Sequence, residues 1–127
     1  MNIEFYRVPA GRAVPQEVDP NGLGAKMPGA KLDAGKLRPH LVLMDFALAL
    51  TEVTAVGTYG ADKYSDHGWL SVENGVDRYS EAKVRHQLAE ASGTLYDAES
   101  GLLHASHEAW NALARLELML RQEQNAE

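Results

Sequence analysis

After residue 30, apolar residues recur along the chain at the three- and four-residue spacing of an amphipathic helix. The pattern predicts three main helices, near residues 40–64, 75–91 and 100–121. The first segment is apolar nearly all round from Leu41 to Val56, so we expect it to be the central, buried helix. Together the segments predict an all-α fold, a small helical bundle.

The third predicted helix has two different faces. At about 100° per residue, its apolar positions form one stripe: Leu102, Ala105, Ala109, Leu113, Leu116 and Leu120. His104, His107 and Asn111 fall within roughly 60° of one another, nearly opposite that stripe. Two imidazoles on one helical face indicate either a functional site or simply a solvated face.

A pair of carboxylates, Asp97 and Glu99, comes just before this helix. Imidazoles on a helix with carboxylates at its beginning suit a divalent metal ion or a phosphate ester, because four or five nitrogen and oxygen ligands are enough to hold such an ion. The alternative is structural, since Asp97 or Ser100 is also a suitable residue to cap the helix.

The amino-terminal residues 1–30 differ from the rest of the chain. They contain most of the prolines and show neither helical nor strand periodicity. We expect an extended arm there, with one short strand at residues 3–8, that packs over the helical body or reaches a partner subunit. Residues 31–127 are predicted to form the α-helical domain.

Composition narrows the classes of function. The chain has 127 residues, enough for one domain, and its net charge of −6 disfavours broad binding to nucleic acid. There is no apolar run of about 18 residues and no signal peptide, so no membrane role is expected. The absence of cysteine excludes a thiolate metal site and fits a cytoplasmic protein. The predicted central helix has more apolar surface than its partners cover, which favours a homo-oligomer.

Further candidate residues lie earlier in the chain. If the first helix is continuous, Asp45, Glu52 and Lys63 project along one line of it. A buried carboxylate without a partner is costly, so Glu52 should face a metal ion, a basic group or a polar cleft. The alternative is a structural ion pair of Glu52 with Lys63 or with an arginine.

Four other residues carry weaker signals. Lys36 and Arg38 follow the turn at Gly35 and suit a phosphate, although such residues also occur in solvated loops. Trp69 could close over a nucleobase or fill the core. His86, on the second helix, is either a satisfied core residue or a ligand.

Five sequence blocks follow one another along the chain: KLDAGKLRP, EVTAVGTYGADKY, a loop that contains a tryptophan, RH and DAESGLLHASHEAWN. In this order and spacing, residues 30–120 resemble the phage-encoded dATP/dGTP diphosphohydrolase family, which is grouped with the MazG-like nucleotide pyrophosphohydrolases. The matching residues are Lys31, Asp33, Gly35, Lys36, Arg38, Gly60, Lys63, Tyr64, Trp69, Arg85, His86, Asp97, Glu99, Ser100, Gly101, His104, His107 and Asn111.

The resemblance implies hydrolysis of a purine (deoxy)nucleoside triphosphate, dGTP or dATP, to the monophosphate and pyrophosphate. It also implies an all-α, MazG-like enzyme that uses Mg²⁺ or Mn²⁺ held by carboxylates and assembles as a dimer or tetramer. A phage-encoded protein of this kind would work in the host cytoplasm.

On this hypothesis the candidate residues take specific roles. The expected metal ligands are Glu52, Asp97, Glu99 and His104, with Glu90 as a further possibility. His107 or His86 would be the general base or a phosphate contact, and Glu52 would also belong to the catalytic group. The substrate would be bound by Lys36, Arg38, Lys63, Trp69, Arg85 and Asn111, with Trp69 stacked on the base.

The chain departs from the family pattern in two places. Gly93-Thr94 stands where the family usually has Gly-Glu, and the paired-glutamate Glu-Glu-x-x-Glu signature of typical MazG helices is absent. The lost carboxylate supports an alternative function, a non-catalytic phage protein that binds and sequesters a nucleotide signal. A second alternative is a structural oligomerisation module without a ligand.

Overall fold

The structure is a computed structural model that describes residues 16–126. Its helices are α1 (His40–Leu43), α2 (Ala47–Lys63), α3 (Gly75–Ala91) and α4 (His104–Asn125), with a short 3₁₀ helix at Gly68–Ser71. Over the described range there is no strand, only an isolated antiparallel bridge between Tyr96 and Leu103. The all-α prediction is confirmed for this range, and the strand predicted at residues 3–8 lies outside it.

The chain divides into two compact units, with the division between Asp45 and Phe46. The first unit is largely irregular and is organised by the buried carboxylate of Asp19. This carboxylate accepts hydrogen bonds from the backbone N–H groups of Asn21, Leu23 and Lys31, and the bond from Lys31 contributes most to the lowered pKa of Asp19. The predicted domain boundary at residue 30 stays a prediction.

The prediction of one continuous helix over residues 40–64 is wrong. The helix is interrupted between α1 and α2, at the division between the two units, so Asp45 does not share a helical line with Glu52 and Lys63. The expectation of a buried central helix is also wrong, because Val56 is the one buried residue of α2 and Leu48 is 88% exposed.

The second unit is built mainly from α3 and α4, which pack along each other, with α2 against α4. Helix α3 has the predicted bounds. It ends in a Schellman motif, in which Gly93 N–H donates to the Glu90 carbonyl and Thr94 N–H to the Ala89 carbonyl. Gly93 has a φ of +97°, the left-handed conformation that this motif requires.

Helix α4 begins at His104 rather than at residue 100, because residues 95–103 form a hydrogen-bonded loop. Its polar face is buried, at His104, Ser106, His107 and Asn111, so the alternative of a solvated histidine face is wrong. The predicted apolar stripe is exposed from Ala105 onward. The buried imidazoles have polar partners on α3 and in the loop, which makes their burial tolerable.

Three aromatic side chains pack against one another in the second unit. The rings of Trp69, Tyr79 and Trp110 pack edge to face, with centroids 5.5–6.2 Å apart. The hydroxyl of Tyr79 donates a 2.9 Å hydrogen bond to the Trp69 carbonyl, which ties the 3₁₀ helix to α3. Trp69 therefore has a structural role here, and its stacking on a base stays a prediction.

We expect Tyr79→Phe to lower the free energy of unfolding by about 0.5–1.5 kcal/mol, because it removes one hydrogen bond and keeps the ring. Urea denaturation at fixed protein concentration measures this change. Tyr96→Phe is the matched control, since Tyr96 is 60% exposed. Equal effects of the two substitutions would contradict the role given to the Tyr79 hydroxyl.

Candidate functional site

Three imidazoles meet between α3 and α4. His86 comes from α3, and His104 and His107 lie one turn apart on α4. The rings of His86 and His107 are stacked, with centroids 4.4 Å apart and an interplanar angle of 9°. The Nδ1 atoms of His86 and His104 are only 2.8 Å apart. Both of these nitrogens are therefore directed at the same small volume.

Asp97 completes this group, which we call the imidazole cluster: His86, Asp97, His104 and His107. One ligand atom each from His86, Asp97 and His104 lies within 4.8 Å of the other two. The Asp97 Oδ2 atom is 3.9 Å from His107 Nε2. Sequence reasoning proposed all four residues, and the structure brings them together.

The loop of residues 95–103 holds Asp97 at the cluster. Asp97 N–H donates to the Leu102 carbonyl at 2.7 Å, and His104 N–H donates to the Leu95 carbonyl at 2.8 Å. Asp97 Oδ2 accepts the Ser100 N–H at 2.8 Å, which closes a turn inside the loop. The predicted helix cap by Asp97 or Ser100 is wrong, because Leu103 is the N-cap of α4 and no side chain caps it.

Burial and charge set the protonation of the cluster. Burial lowers the pKa of His86, and the neighbouring His107 and His104 lower it further. Burial also lowers the pKa of His107, against the opposite effect of Asp97. Burial alone would raise the pKa of Asp97, but its hydrogen bonds from Ser100 lower it overall. At neutral pH Asp97 is therefore a carboxylate beside the neutral imidazoles of His86 and His107. Carboxylates and neutral imidazoles are the forms that bind metal ions.

Ser100 raises the possibility of a nucleophilic triad, since its Oγ lies 2.7 Å from His107 Nε2. The geometry argues against one. In a triad the carboxylate binds the ring nitrogen that does not face the nucleophile, whereas Asp97 and Ser100 both face Nε2 of His107. The Ser100 hydroxyl also accepts the Leu102 N–H at 3.1 Å, so it has a structural role in the loop.

Beside the cluster lies a second charged group. Lys63 Nζ lies 2.5 Å from Glu99 Oε1, and Lys63 is also 5.3 Å from the ring centroid of Tyr64. The ion pair with Lys63 lowers the pKa of Glu99 and raises that of Lys63. Glu99 is thus paired with a lysine instead of joining the imidazole cluster, although it was predicted to be a metal ligand.

Tyr59 links the two groups and was missed by the sequence reasoning. Its ring meets His107 edge to face at 6.2 Å, and the Glu99 carboxylate raises its pKa. Its buried hydroxyl makes no hydrogen bond of standard geometry among the described residues. The spacing from Tyr59 to Lys63, one helical turn on α2, was the signal available in the sequence.

The remaining predicted residues differ in their exposure and in their partners. Glu52 is exposed and accepts a 3.3 Å hydrogen bond from the Ser106 hydroxyl. Asn111 is buried, and its side-chain amide donates to the His107 carbonyl, so it supports α4. Arg85 is exposed on α3. Lys36 and Arg38 belong to the first unit, where Lys36 pairs with Glu17 at 3.4 Å.

The donors of the cluster fit a divalent cation. At a metal–nitrogen distance of about 2.1 Å, two nitrogens at right angles around an ion are about 3 Å apart. The two Nδ1 atoms, at 2.8 Å, reach that separation by small movements of the rings. The carboxylate of Asp97 supplies a third donor on the same volume.

We expect Gly101→Ala to destabilise the loop that carries Asp97. Gly101 has a φ of +74° and open space around its Cα, so the cost is backbone strain alone, roughly 1–2 kcal/mol. Gly60→Ala is the matched control, because the same added methyl group in open space on α2 should stabilise the helix by about 0.5–1 kcal/mol. Thermal and urea unfolding measure both changes, and equal signs would contradict this account of the loop.

The chain matches the model of a known protein family. Within residues 16–126, no helix combines the length and apolar character needed to cross a membrane. No curated protein and no solved structure matches the chain. A family model described as dATP/dGTP diphosphohydrolase, N-terminal, matches residues 26–127, a range that includes the sequence blocks quoted above and the whole imidazole cluster. The chain therefore belongs to the dATP/dGTP diphosphohydrolase, N-terminal, family.

Proposed function

We propose that this protein hydrolyses dATP or dGTP to the nucleoside monophosphate and pyrophosphate with the help of a divalent cation. The observation that carries the proposal is the convergence of His86, Asp97 and His104 on one small volume. The family membership supports a purine deoxynucleotide as the substrate. The neighbouring ammonium group of Lys63 supplies positive charge for the phosphates.

In this mechanism, water attacks the α-phosphorus, and the bond between that phosphorus and the oxygen bridging to the β-phosphate breaks. Pyrophosphate leaves with that oxygen. A divalent cation held by His86, Asp97 and His104 would supply neutralisation of the phosphate charges. The original prediction of Glu52 and Glu99 as additional ligands is not part of this proposal, because each has another partner.

His107 is the best-placed general base. It would accept a proton from the attacking water at Nε2, the nitrogen that faces Ser100 and Asp97. The carboxylate of Asp97 would stabilise the resulting imidazolium. The stacked His86 ring and the edge of Tyr59 fix the orientation of the His107 ring. Lys63 would exchange Glu99 for a phosphate oxygen when the nucleotide binds.

We expect the protein to convert dATP or dGTP to monophosphate and pyrophosphate in the presence of Mn²⁺, as measured by chromatography of the products. His107→Gln should reduce turnover by at least about a hundredfold, the size of a general-base contribution. His67→Asn is the control, because His67 is exposed and lies outside the cluster. Products that are nucleoside and triphosphate would contradict the proposed bond cleavage.

The alternative, nucleotide binding without hydrolysis, rests on Thr94. Its side chain is exposed at the end of the α3 Schellman motif and provides no carboxylate where the family usually has one. On this alternative, dATP or dGTP would raise the melting temperature without being consumed. The variant Thr94→Glu would then gain hydrolysis, whereas the proposed enzyme is active without it.

We also propose that the protein is a homo-oligomer, a dimer or a tetramer. Within the described residues, only two apolar residues, Val56 and Ala114, are buried. Leu113, Leu116 and Leu120 of the α4 stripe remain 46–51% exposed. A row of half-exposed leucines on one helix face is typical of a surface that another chain covers.

Light scattering at micromolar concentration should therefore give a mass of at least two chains. We expect the double substitution Leu113→Gln and Leu116→Gln to shift this mass toward the monomer. Leu48→Gln is the control, because Leu48 is 88% exposed on α2, outside the stripe. A monomeric wild-type protein, or an equal shift in the control, would contradict the proposed interface.

A further inference from the structure

The ligand atoms of the imidazole cluster do not suit Mg²⁺, one of the two ions that the family resemblance implies. Two of the three convergent donors are imidazole nitrogens, and only Asp97 offers an oxygen. His104 is 6% exposed, and its Nδ1 lies against the Nδ1 of His86 at 2.8 Å. Without an ion, this contact requires a proton on one of the two nitrogens. A bound cation would use both lone pairs at once.

We propose that His86, Asp97 and His104 bind a first-row transition-metal ion, such as Mn²⁺, Co²⁺ or Zn²⁺, in preference to Mg²⁺. This inference rests on the function proposed above and adds to it the class of cation. Binding of the ion is nevertheless a property that can be measured without any turnover.

The physical reason is the chemistry of the ligands. Mg²⁺ is a hard ion that takes oxygen ligands in a near-ideal octahedron and gives up its waters reluctantly. Imidazole nitrogen binds the later divalent ions more strongly, and affinity rises along the series from Mn²⁺ toward Cu²⁺. A set of two histidines and one carboxylate is therefore a poor Mg²⁺ site and a good site for a transition-metal ion.

The nearby carboxylates do not change this balance. Glu99 is paired with Lys63, and Glu52 accepts a hydrogen bond from Ser106. Over residues 16–126, His86, Asp97 and His104 are the one group of three such side chains whose ligand atoms converge. Nucleotide phosphates would add oxygens to the ion in the complex, but the protein's own contribution remains two nitrogens and one oxygen.

Titration of the nucleotide-free protein with Co²⁺, followed by visible absorption, tests the site directly. We expect ligand-field bands that saturate at one ion per chain and that persist in a hundredfold excess of Mg²⁺. His104→Ala and His86→Asn should each weaken Co²⁺ binding by at least about tenfold. His67→Asn is the matched control, since His67 is exposed and its φ of 61° suits asparagine.

Pulsed electron paramagnetic resonance of bound Mn²⁺ gives a readout that needs no variant. We expect modulation from ¹⁴N nuclei of coordinated imidazole in the wild-type protein, and its loss in His104→Ala. Circular dichroism checks that the variants are folded. If a variant does not fold, the wild-type ¹⁴N signal and the Mg²⁺ competition still decide the proposal.

Displacement of Co²⁺ by an equal concentration of Mg²⁺, or Mn²⁺ bound without ¹⁴N modulation, would overturn the inference. An equal loss of binding in His67→Asn would overturn it as well. Failure of the proposed hydrolysis is distinguishable, because it would leave the Co²⁺ and Mn²⁺ signals intact while no monophosphate appears.

Discussion

The burial of imidazoles between α3 and α4 is the constraint on which the second unit depends. His104 and His107 occupy the helix face that a core would normally fill with leucine. From α3, His86 stacks on His107 and lies tilted against His104. Buried polar rings are tolerated only when their nitrogens have partners. Here the partners are each other, Ser100 and Asp97. The loop that carries Ser100 and Asp97 is therefore needed for packing as well as for the candidate chemistry.

Individual residues of the loop serve both purposes. Asp97 accepts a backbone N–H with the same Oδ2 atom that faces His107, and Ser100 binds both the loop backbone and that ring. Gly101, which follows Ser100, provides the left-handed residue of the loop. Each residue of the Asp-x-Glu-Ser-Gly segment named here thus has a structural function in the single chain. Glu99 differs, because its partner is Lys63 of α2, so it connects the loop to a different helix.

The sequence predicted much of this arrangement, for identifiable reasons. The bounds of α3 followed from helical spacing. Helical spacing and the family resemblance placed Asp97 and His104 in one candidate metal site, with His86 as a base or phosphate contact and not as a metal ligand. Which face of α4 is buried could not be predicted in the same way. Periodicity shows that a helix has an apolar face, but it does not show whether that face lies in the core of one chain or against another chain. The interruption between α1 and α2 was missed because residues 44–46 contain neither proline nor glycine.

The small number of buried apolar residues links the stability of the fold to the candidate site. With only Val56 and Ala114 buried among the described apolar residues, little hydrophobic burial compensates the cost of desolvating three imidazoles and a carboxylate. Two kinds of partner would supply the missing free energy. A second chain would cover the leucines of α4, and a cation would use the lone pairs that now face each other. The two proposed partners would act on opposite faces of the same helix, so a chain that covers the stripe would leave the cluster accessible to a ligand. In this proposal α4 alone would supply part of a metal site with its buried polar face and an interface with its exposed apolar stripe.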